Sequence, residues 1–548
     1  MRRVQIYDTT LRDGCQTEEI ALTVDAKLAI AERLDAFGVD YVEGGWPGSN
    51  PRDAAFFGPA MKLGLRHAKI VAFGSTRRVN RSAEEDENLD LILRAGTPVA
   101  CIVGKFWDLH VREELRISRE ANLDVIRDSV AFLRERLDEV VVDAEHFFDG
   151  WTANPEFALD CLRAAAEAGA TCVCLCDTRG GSMPSTIEAG VRAALAAVDV
   201  PLGIHCHDDG ELAVANSIAA VEAGAIQVQG TINGIGERCG NANLLSVVAN
   251  LQIKLGYHCV DPEQLRGLTE LSRFVDEVAN REPRKQQAYV GQSAFAHKAG
   301  LHASAVRKHA STYEHVDPGL VGNHQRVLVS DQAGRSNLLH KAKEFGIDPE
   351  VIEPRLKGLL AELKQLEHLG YQFEGADASF ELLLQKAIQG QRIRHFELVG
   401  FRVMDEKRHE DEAPIAEATI MVKGPDGRVE HTAAQGNGPV NALDLALRKA
   451  LSKFYPEIAD VRLVDYKVRV LDKGVGTESV VRVLIESADA DGGPVVVGVS
   501  HNVIEASWQA LADAIDFKLY KDRRNRGSRG EAPIADSRPQ APAAAGRS

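Results

Sequence analysis

Two histidines separated by one residue are the first candidates for chemistry in this sequence. His205 and His207 lie in the stretch PLGIHCHDDGELAVANS, residues 201–217, where an apolar strand-like run gives way to a helix-like one. Alternate residues of a strand share a face, so both imidazoles point the same way and Cys206 points the opposite way. Such a pair can hold a divalent metal ion or can form a polar rim, and the pair alone does not decide between the two.

Two other short motifs contain further potential metal ligands. YDTTLRDGCQ contains Arg12 and Asp13, and GERCGNANL contains Glu237 and Asn241. Carboxylate and amide oxygens together with imidazoles suit Mg²⁺, Mn²⁺ or Zn²⁺, with positions left for water or substrate. Such an ion can chelate a 2-oxo acid, and Arg12 can stabilise an enolate oxygen beside it. A salt bridge that only holds the first turn is the alternative role for Arg12.

The elements that must position these motifs alternate along residues 1–255. Short β-rich runs are followed by amphipathic helical stretches, several of which end in Gly just before the next strand. Eight such units in about 250 residues predict a (β/α)₈ TIM barrel. A doubly wound sheet is the alternative, but no strand-linked GxGxxG occurs.

The residues that end the predicted strands support a binding site. In chain order they are Asp8, Glu43, Gly74, Lys105, Glu145, Asp177 with Thr178, His205 with His207, and Asn233 with Glu237. The carboxyl ends of barrel strands form one face, and that face carries the active site. We therefore expect most of these polar side chains to surround a common cup.

The remainder of the chain predicts additional domains. Two sets of three strand-like runs, each followed by an amphipathic helix, indicate two βββα units that form a C-terminal α+β domain. The last residues are rich in Pro, Gly, Ala and Arg, which is typical of disorder. We predict the following divisions: a catalytic barrel over 1–275, a helical connector contributing active-site residues over 276–395, the α+β domain over 396–521 and a disordered tail over 522–548.

Composition excludes several classes of partner. The net charge of −16 argues against binding to nucleic acid or to an anionic membrane. We find no signal peptide and no apolar stretch approaching the ~18 residues of a membrane span. Nine scattered cysteines fit a reduced, cytoplasmic protein.

Four motifs, in order, carry a family resemblance. DTTLRDGCQ, GIHCHDD with AVANS, GERCGNANL and AFAHKAGLHASAV resemble the barrel-type Claisen condensing enzymes, which include the 2-isopropylmalate, homocitrate and citramalate synthases. The resemblance spans residues 4–520, because the βββα pair is similar to the family's regulatory domain. It implies these roles: Asp13, His205, His207 and Asn241 as ligands of a divalent metal ion (Mn²⁺, Mg²⁺ or Zn²⁺); Arg12, Glu43 and Thr178 as substrate-binding residues; and Arg12, Glu145, His302 and Tyr313 as catalytic residues.

Within these roles, Arg12 steadies the enolate, and His302 with Tyr313 serves as acid/base for the acetyl methyl proton. From the residues alone, His302 could equally be a structural histidine.

One stretch bears on the substrate. VEGGWPGSNPRDAAFF departs from the Glu-x-Gly-Phe-Pro form of the isopropylmalate synthases and is similar to one branch of the citramalate synthases. The resemblance implies acetyl-CoA and pyruvate as substrates, isoleucine as feedback inhibitor and a homodimer. Trp46 could also simply pack the barrel rim, so 2-isopropylmalate synthesis from 2-oxoisovalerate is the alternative.

Other classes remain as rivals. A hydroxymethylglutaryl-CoA-type lyase shares the barrel, but its Gly-Gly-Cys-Pro loop does not occur here. A biotin-dependent carboxyltransferase also shares it, but no Ala-Met-Lys-Met biotin site occurs. A catalytically silent barrel with an amino-acid-sensing domain is the non-enzymatic alternative.

Overall fold

The computed structural model describes residues 2–18, 20–297, 305–306, 309–327, 335–471, 478–489 and 493–528. The chain divides into two compact units, the first from residues 1–295 with 314–325 and the second from residues 296–313 with 326–548.

The first unit is a closed barrel of eight parallel strands in sequential order. The strands are β1 (Gln5–Asp8), β2 (Tyr41–Gly45), β3 (Lys69–Ser75), β4 (Val99–Lys105), β5 (Glu139–Glu145), β6 (Cys172–Asp177), β7 (Leu202–Cys206) and β8 (Gln227–Gly230). Pairing of β1 with β8, from Gln5 opposite Gln227 to Asp8 opposite Gly230, closes the ring. The predicted (β/α)₈ barrel is confirmed.

Helices surround the strands and begin at capping residues. Thr23 and Ser118 each accept a backbone N–H at a helix start, and Gly38 ends the first helix with φ of 93°. The helices of this unit are Val24–Phe37, Pro51–Ala60, Glu87–Arg94, Asp108–His110, Arg119–Arg134, Phe147–Ala153, Pro155–Glu167, Pro184–Ala197, Ala213–Ala223, Leu244–Ala249, Pro262–Leu265 and Leu268–Val278. Two of them continue as π-helical turns, Val111–Leu115 and Asn250–Lys254.

The barrel has two apolar layers. Between strands and helices lies an aliphatic core that includes Ile6, Leu34, Val142 and Ile204. Inside the barrel a second cluster is formed by Tyr7, Tyr41, Val71, Phe73, Val99, Cys101, Val141, Cys172 and Cys174. The lumen is therefore packed with side chains, and substrate access is confined to its carboxyl-terminal mouth.

The second unit begins with a short parallel pair, β9 (Ala296–His297) and β10 (Arg326–Val327). The helices that follow are Arg335–Glu344, Pro349–Ile352, Leu356–His368 and Asp377–Gln389. Two antiparallel sheets come next: β11 (Glu397–Glu406), β12 (Ile415–Lys423) and β13 (Val429–Gly436), then β14 (Arg462–Val470), β15 (Val481–Ala488) and β16 (Val495–Ser500). The helix Pro439–Leu451 follows the first sheet and the helix Val503–Ser528 follows the second, so both βββα units are confirmed.

The end of the last helix corrects one predicted boundary. The sequence placed a disordered tail from residue 522 onward, but the helix continues to Ser528. Residues 529–548 lie outside the described residues. Within the part of the chain that is described, no helix is both long and apolar enough to cross a membrane.

Asp35, on the first helix, supplies a pH-dependent contribution to the stability of the barrel. Its carboxylate accepts backbone N–H groups from Arg66, His67 and Ala68 at 2.7–3.0 Å. Burial opposes the charge, but these hydrogen bonds outweigh it and lower the pKa of Asp35. The stabilisation is therefore present above the ordinary pKa of about 3.9 and is lost as pH falls through the lower folded value.

We expect Asp35→Asn to reduce the free energy of unfolding by about 1–2 kcal/mol near pH 7, because a charged acceptor is lost. Urea unfolding at pH 7, 5 and 3.5 should show the difference from the wild type narrowing with acidity. Glu32→Gln, an exposed change on the same helix, should leave stability unaltered. A difference that stays constant over this pH range would contradict the assignment.

Candidate active site

The turn after β1 is built by an aspartate that does not reach the mouth. Asp8 is fully buried and accepts the backbone N–H and the hydroxyl of Thr10 at 2.9 and 2.8 Å. The Thr10 hydroxyl in turn accepts the backbone N–H of Ile232, which follows β8, at 2.9 Å. Burial raises the pKa of Asp8 to about 7 against these hydrogen bonds. The first aspartate of the motif thus fixes the turn, and the turn carries Arg12 and Asp13.

Arg12 is held from three sides. Its Nε donates to Oε1 of Glu43 at 2.5 Å, and its Nη1 lies 3.3 Å from Oδ2 of Asp13. Its guanidinium carbon stands 4.0 Å above the centre of the Phe73 ring. The other carboxylate oxygen of Glu43 accepts the Tyr7 hydroxyl at 2.6 Å. Glu43, predicted to bind substrate, is fully buried, and its two oxygens contact Arg12 and Tyr7.

Three predicted ligands converge at the mouth between β1 and β7. Asp13, His205 and His207 each offer an atom within 4.8 Å of the others. The imidazole Nε2 of His205 lies 3.4 Å from Oδ2 of Asp13, and the two imidazole rings are 5.2 Å apart. All three residues are buried. Carboxylate and imidazole donors at this spacing are a ligand set for a divalent cation.

Unpartnered polar atoms test whether these residues fit a metal ion. Among the described residues, Oδ1 of Asp13, Nδ1 of His207 and Oδ1 of Asn241 are buried without a hydrogen-bond partner. Buried polar atoms normally have partners, because leaving one unsatisfied costs about 1–3 kcal/mol. Three such atoms among four predicted ligands are explained if a cation binds them. The residues present therefore fit a divalent metal ion.

Asn241 reaches this place through the glycines of its loop. A bridge pairs it with His207, and its Nδ2 donates to the carbonyl of Ile235 at 3.1 Å, which leaves Oδ1 as the free atom. Gly236 has φ of 158°, and a Cβ there would lie 2.1 Å from Nδ2 of Asn241. A side chain at position 236 would thus displace the amide. Glu237 of the same motif is exposed and pairs with Arg238, so the structure does not bring it to the ligand group.

The electrostatics of Asp13 and His207 suit cation binding. At His205 burial opposes the charge, but the carboxylate of Asp13 outweighs it and raises the pKa. Burial opposes the charge of Asp13, but Arg12 and His205 outweigh it and hold its pKa far below the usual range. Burial, together with repulsion from His205, lowers the pKa of His207 to about 3. Asp13 is therefore a carboxylate and His207 a neutral imidazole with a free lone pair, as ligation requires.

Glu145 and Thr178 lie on the neighbouring strand ends β5 and β6. Glu145 pairs with Nζ of Lys105 at 2.7 Å, and Lys105 also contacts Glu114 at 2.9 Å. The hydroxyl of Thr178 accepts the backbone N–H of His146 at 2.8 Å. Both residues are partly exposed at the mouth, which is where the sequence predicted them. Their contact with substrate stays a prediction.

The structure does not test the roles of the last two predicted catalytic residues. His302 lies outside the described residues. Tyr313 is half exposed in the second unit, and its ring centre is 6.5 Å from that of His297. Their roles as acid/base stay predictions.

Sequence reasoning missed two polar residues inside the lumen. Nδ1 of His205 is 2.9 Å from Oε1 of Gln229, and Nε2 of Gln229 donates to Oδ1 of Asp143 at 3.0 Å. Gln229 and Asp143 are buried. The available signal was a polar residue at an inward position of a buried parallel strand, where apolar residues are usual.

Comparisons with known proteins agree with this arrangement. Family models match in three segments: HMGL-like over residues 3–275, homocitrate synthase post-HMGL domain-like over 289–370, and LeuA allosteric (dimerisation) domain over 374–519. An (R)-citramalate synthase of Geobacter sulfurreducens is 55% identical over 529 residues, which cover 96% of this chain and 100% of that protein. The chain belongs to the (R)-citramalate synthase family.

Further members of the (R)-citramalate synthase family give the same result. The Aquifex aeolicus enzyme is 52% identical over 521 residues, covering 95% of this chain and 98% of that one. The family predicted from the four motifs is confirmed.

Among solved structures, the chain is similar to an HMG-CoA lyase from Bacillus subtilis, which is 19% identical with a TM-score of 0.43 and is matched over 52% of this chain and 96% of that chain.

Metal binding distinguishes the ligands from their neighbours in the motifs. We expect His207→Ala to weaken binding of Mn²⁺ to the metal-free protein by at least about 100-fold, since it removes a predicted ligand that is buried. Glu237→Gln should bind Mn²⁺ as the wild type does, because Glu237 is exposed. Calorimetric titration with Mn²⁺ measures both, and equal effects of the two changes would contradict the assignment.

Proposed function

We propose that this protein is an (R)-citramalate synthase, which condenses acetyl-CoA with pyruvate and water to give (R)-citramalate and CoA. The observation that carries the proposal is the match over nearly the whole chain to (R)-citramalate synthases. The grouping of Asp13, His205 and His207 beside Arg12 supports it independently, because a barrel retained only as a scaffold does not need a buried ligand group.

Asp13, His205, His207 and Asn241 are the residues that would hold a divalent cation, Mn²⁺, Mg²⁺ or Zn²⁺. Bound there, the ion supplies Lewis acidity to the carbonyl oxygen of a 2-oxo acid. The three orphaned buried atoms described above are the support for this assignment.

In this reaction, side chains of the protein stabilise the developing charge and transfer protons. A base removes a proton from the acetyl methyl group, and the resulting carbon forms a bond to the carbonyl carbon of pyruvate, whose oxygen receives a proton. Arg12, fixed by Glu43 and Phe73, stabilises the negative charge that develops on the thioester oxygen. Water then cleaves the thioester and releases CoA. The resemblance assigns the proton transfers to His302 with Tyr313.

Trp46, the residue on which the prediction of pyruvate rests, is fixed in place near Phe73. Trp46 packs edge-on against Phe73 with ring centres 5.6 Å apart, and its Nε1 donates to Oδ1 of Asn88 at 2.8 Å. Each additional methylene changes selectivity by only ~1–3 kcal/mol, so the preference for pyruvate over 2-oxoisovalerate needs a direct measurement.

A parallel assay of 2-oxo acids tests the substrate. We expect the purified protein with Mn²⁺ to release CoA from acetyl-CoA fastest with pyruvate, compared with 2-oxobutyrate, 2-oxoisovalerate and 2-oxoglutarate. EDTA should abolish the release, and added Mn²⁺ should restore it. A preference for 2-oxoisovalerate would instead make the protein a 2-isopropylmalate synthase, and no release with any acid would favour the silent barrel.

The second unit supports feedback control by an amino acid in a homodimer. The βββα pair matches a family model described as allosteric and dimerising. Large apolar side chains are exposed on the strands of both sheets: Val399, Met404, Ile415, Val429, Val464, Val468 and Val470. We propose that a second copy of the chain covers them and that isoleucine, the pathway end product of citramalate, is the inhibitor.

All nine cysteines are free thiols, which fits a cytoplasmic location.

Inhibition and association can be tested together. We expect isoleucine to inhibit CoA release more strongly than leucine or valine, and light scattering to give the mass of a dimer. Val464→Asp should weaken the dimer and the inhibition, because it places a charge on the exposed apolar surface. Val79→Asp, at an exposed valine of the barrel unit, is the matched control and should alter neither property.

A further inference from the structure

We infer that Gln229 and Asp143 are positioning residues that fix the tautomer of His205 for cation binding. The inference rests on the metal site proposed above and extends it to two residues that do not touch the cation, the substrate or the reacting atoms. It depends on hydrogen-bond directions within the barrel lumen.

The three side chains form one continuous chain of hydrogen bonds. Nδ1 of His205 is 2.9 Å from Oε1 of Gln229, and Nε2 of Gln229 donates to Oδ1 of Asp143 at 3.0 Å. His205 and Asp143 are each 4% exposed and Gln229 is 0% exposed, so water cannot substitute for a missing partner.

The orientation of the Gln229 amide sets the direction of these hydrogen bonds. Its NH₂ group donates to Oδ1 of Asp143, which acts as the acceptor. The amide oxygen then faces His205 and requires a hydrogen on Nδ1. Cation binding requires the neutral ring, and in that form the lone pair is left on Nε2, the nitrogen that lies 3.4 Å from Oδ2 of Asp13.

The barrel brings these residues together from three strands. His205 and Gln229 are direct neighbours in the register of β7 and β8. Asp143 belongs to β5, which does not pair with either strand, and it reaches Gln229 across the lumen. Hydrogen-bonded partners of this kind are usual behind metal-binding histidines, where they set ring orientation and tautomer.

Gln227 offers a matched control on the same strand. It stands two residues before Gln229 on the same inward face of β8 and is 1% exposed. His205 and Asp143 are both bonded to Gln229, whereas Oε1 of Gln227 is buried without a hydrogen-bond partner among the described residues. A change at 227 therefore tests the general cost of altering the packed lumen without touching the chain of hydrogen bonds.

The experiment measures binding of Mn²⁺ to the metal-free full chain by titration against a competing chelator. We expect Gln229→Met and Asp143→Asn to weaken Mn²⁺ binding by about 10–100-fold. A thioether at position 229 cannot replace the amide oxygen as acceptor of the Nδ1 hydrogen bond. An amide at position 143 can donate as well as accept, so the direction of the chain is no longer imposed. Gln227→Met should bind Mn²⁺ as the wild type does.

The thermal unfolding temperature of each metal-free variant separates positioning from stability. Positioning predicts weaker Mn²⁺ binding in Asp143→Asn, a nearly isosteric change, with an unfolding temperature close to that of the wild type. Wild-type Mn²⁺ affinity in both Gln229→Met and Asp143→Asn, or an equal loss of affinity in Gln227→Met, would overturn the inference and leave the proposed function standing. Failure of the wild type to bind Mn²⁺ would instead overturn the proposed metal site itself.

Discussion

The hydrogen bonds between β1 and β8 are the constraint on which the site depends. They close the barrel and make β7, β8 and β1 consecutive members of one ring. Asp13 follows β1, His205 lies in β7 and Asn241 follows β8, so an open sheet would separate groups that the closed one brings together. The bond from Ile232 to Thr10 fastens the first turn to this seam. The candidate ligands therefore come together only when the barrel closes.

A second constraint is the placement of charge in a lumen otherwise packed with apolar and aromatic side chains. Arg12, Asp13, Glu43 and Asp143 are buried or nearly so, and isolated charges are costly in such surroundings. Arg12 lies between two carboxylates and above the Phe73 ring, which compensates its burial and restricts its orientation. The same contacts that make the burial tolerable also fix the position of Arg12, which suits the charge stabilisation proposed for it.

Much of the fold and part of the site could be predicted from the sequence. The period of strands and helices and the glycines before strands indicated the barrel, and His205 with His207 indicated a shared face, because both patterns arise from local geometry. Glu43 and Glu237 show where such reasoning ended. Both are acidic residues in or near strand ends, yet Glu43 is buried against Arg12 and Glu237 is exposed. Which carboxylate turns inward depends on packing between elements distant in sequence.

By itself, the sequence determined the family, the eight βα units and the two βββα units, and it indicated candidate ligands for a cation, because these follow from periodicity and from motifs within short segments. Only the tertiary structure decided that Asp8 supports a turn, that Glu43 holds Arg12, and that Gln229 links His205 to Asp143 across the lumen. The physical reason is that a hydrogen bond depends on distance and direction in space. Residues 143, 205 and 229 become neighbours only when the ring has closed.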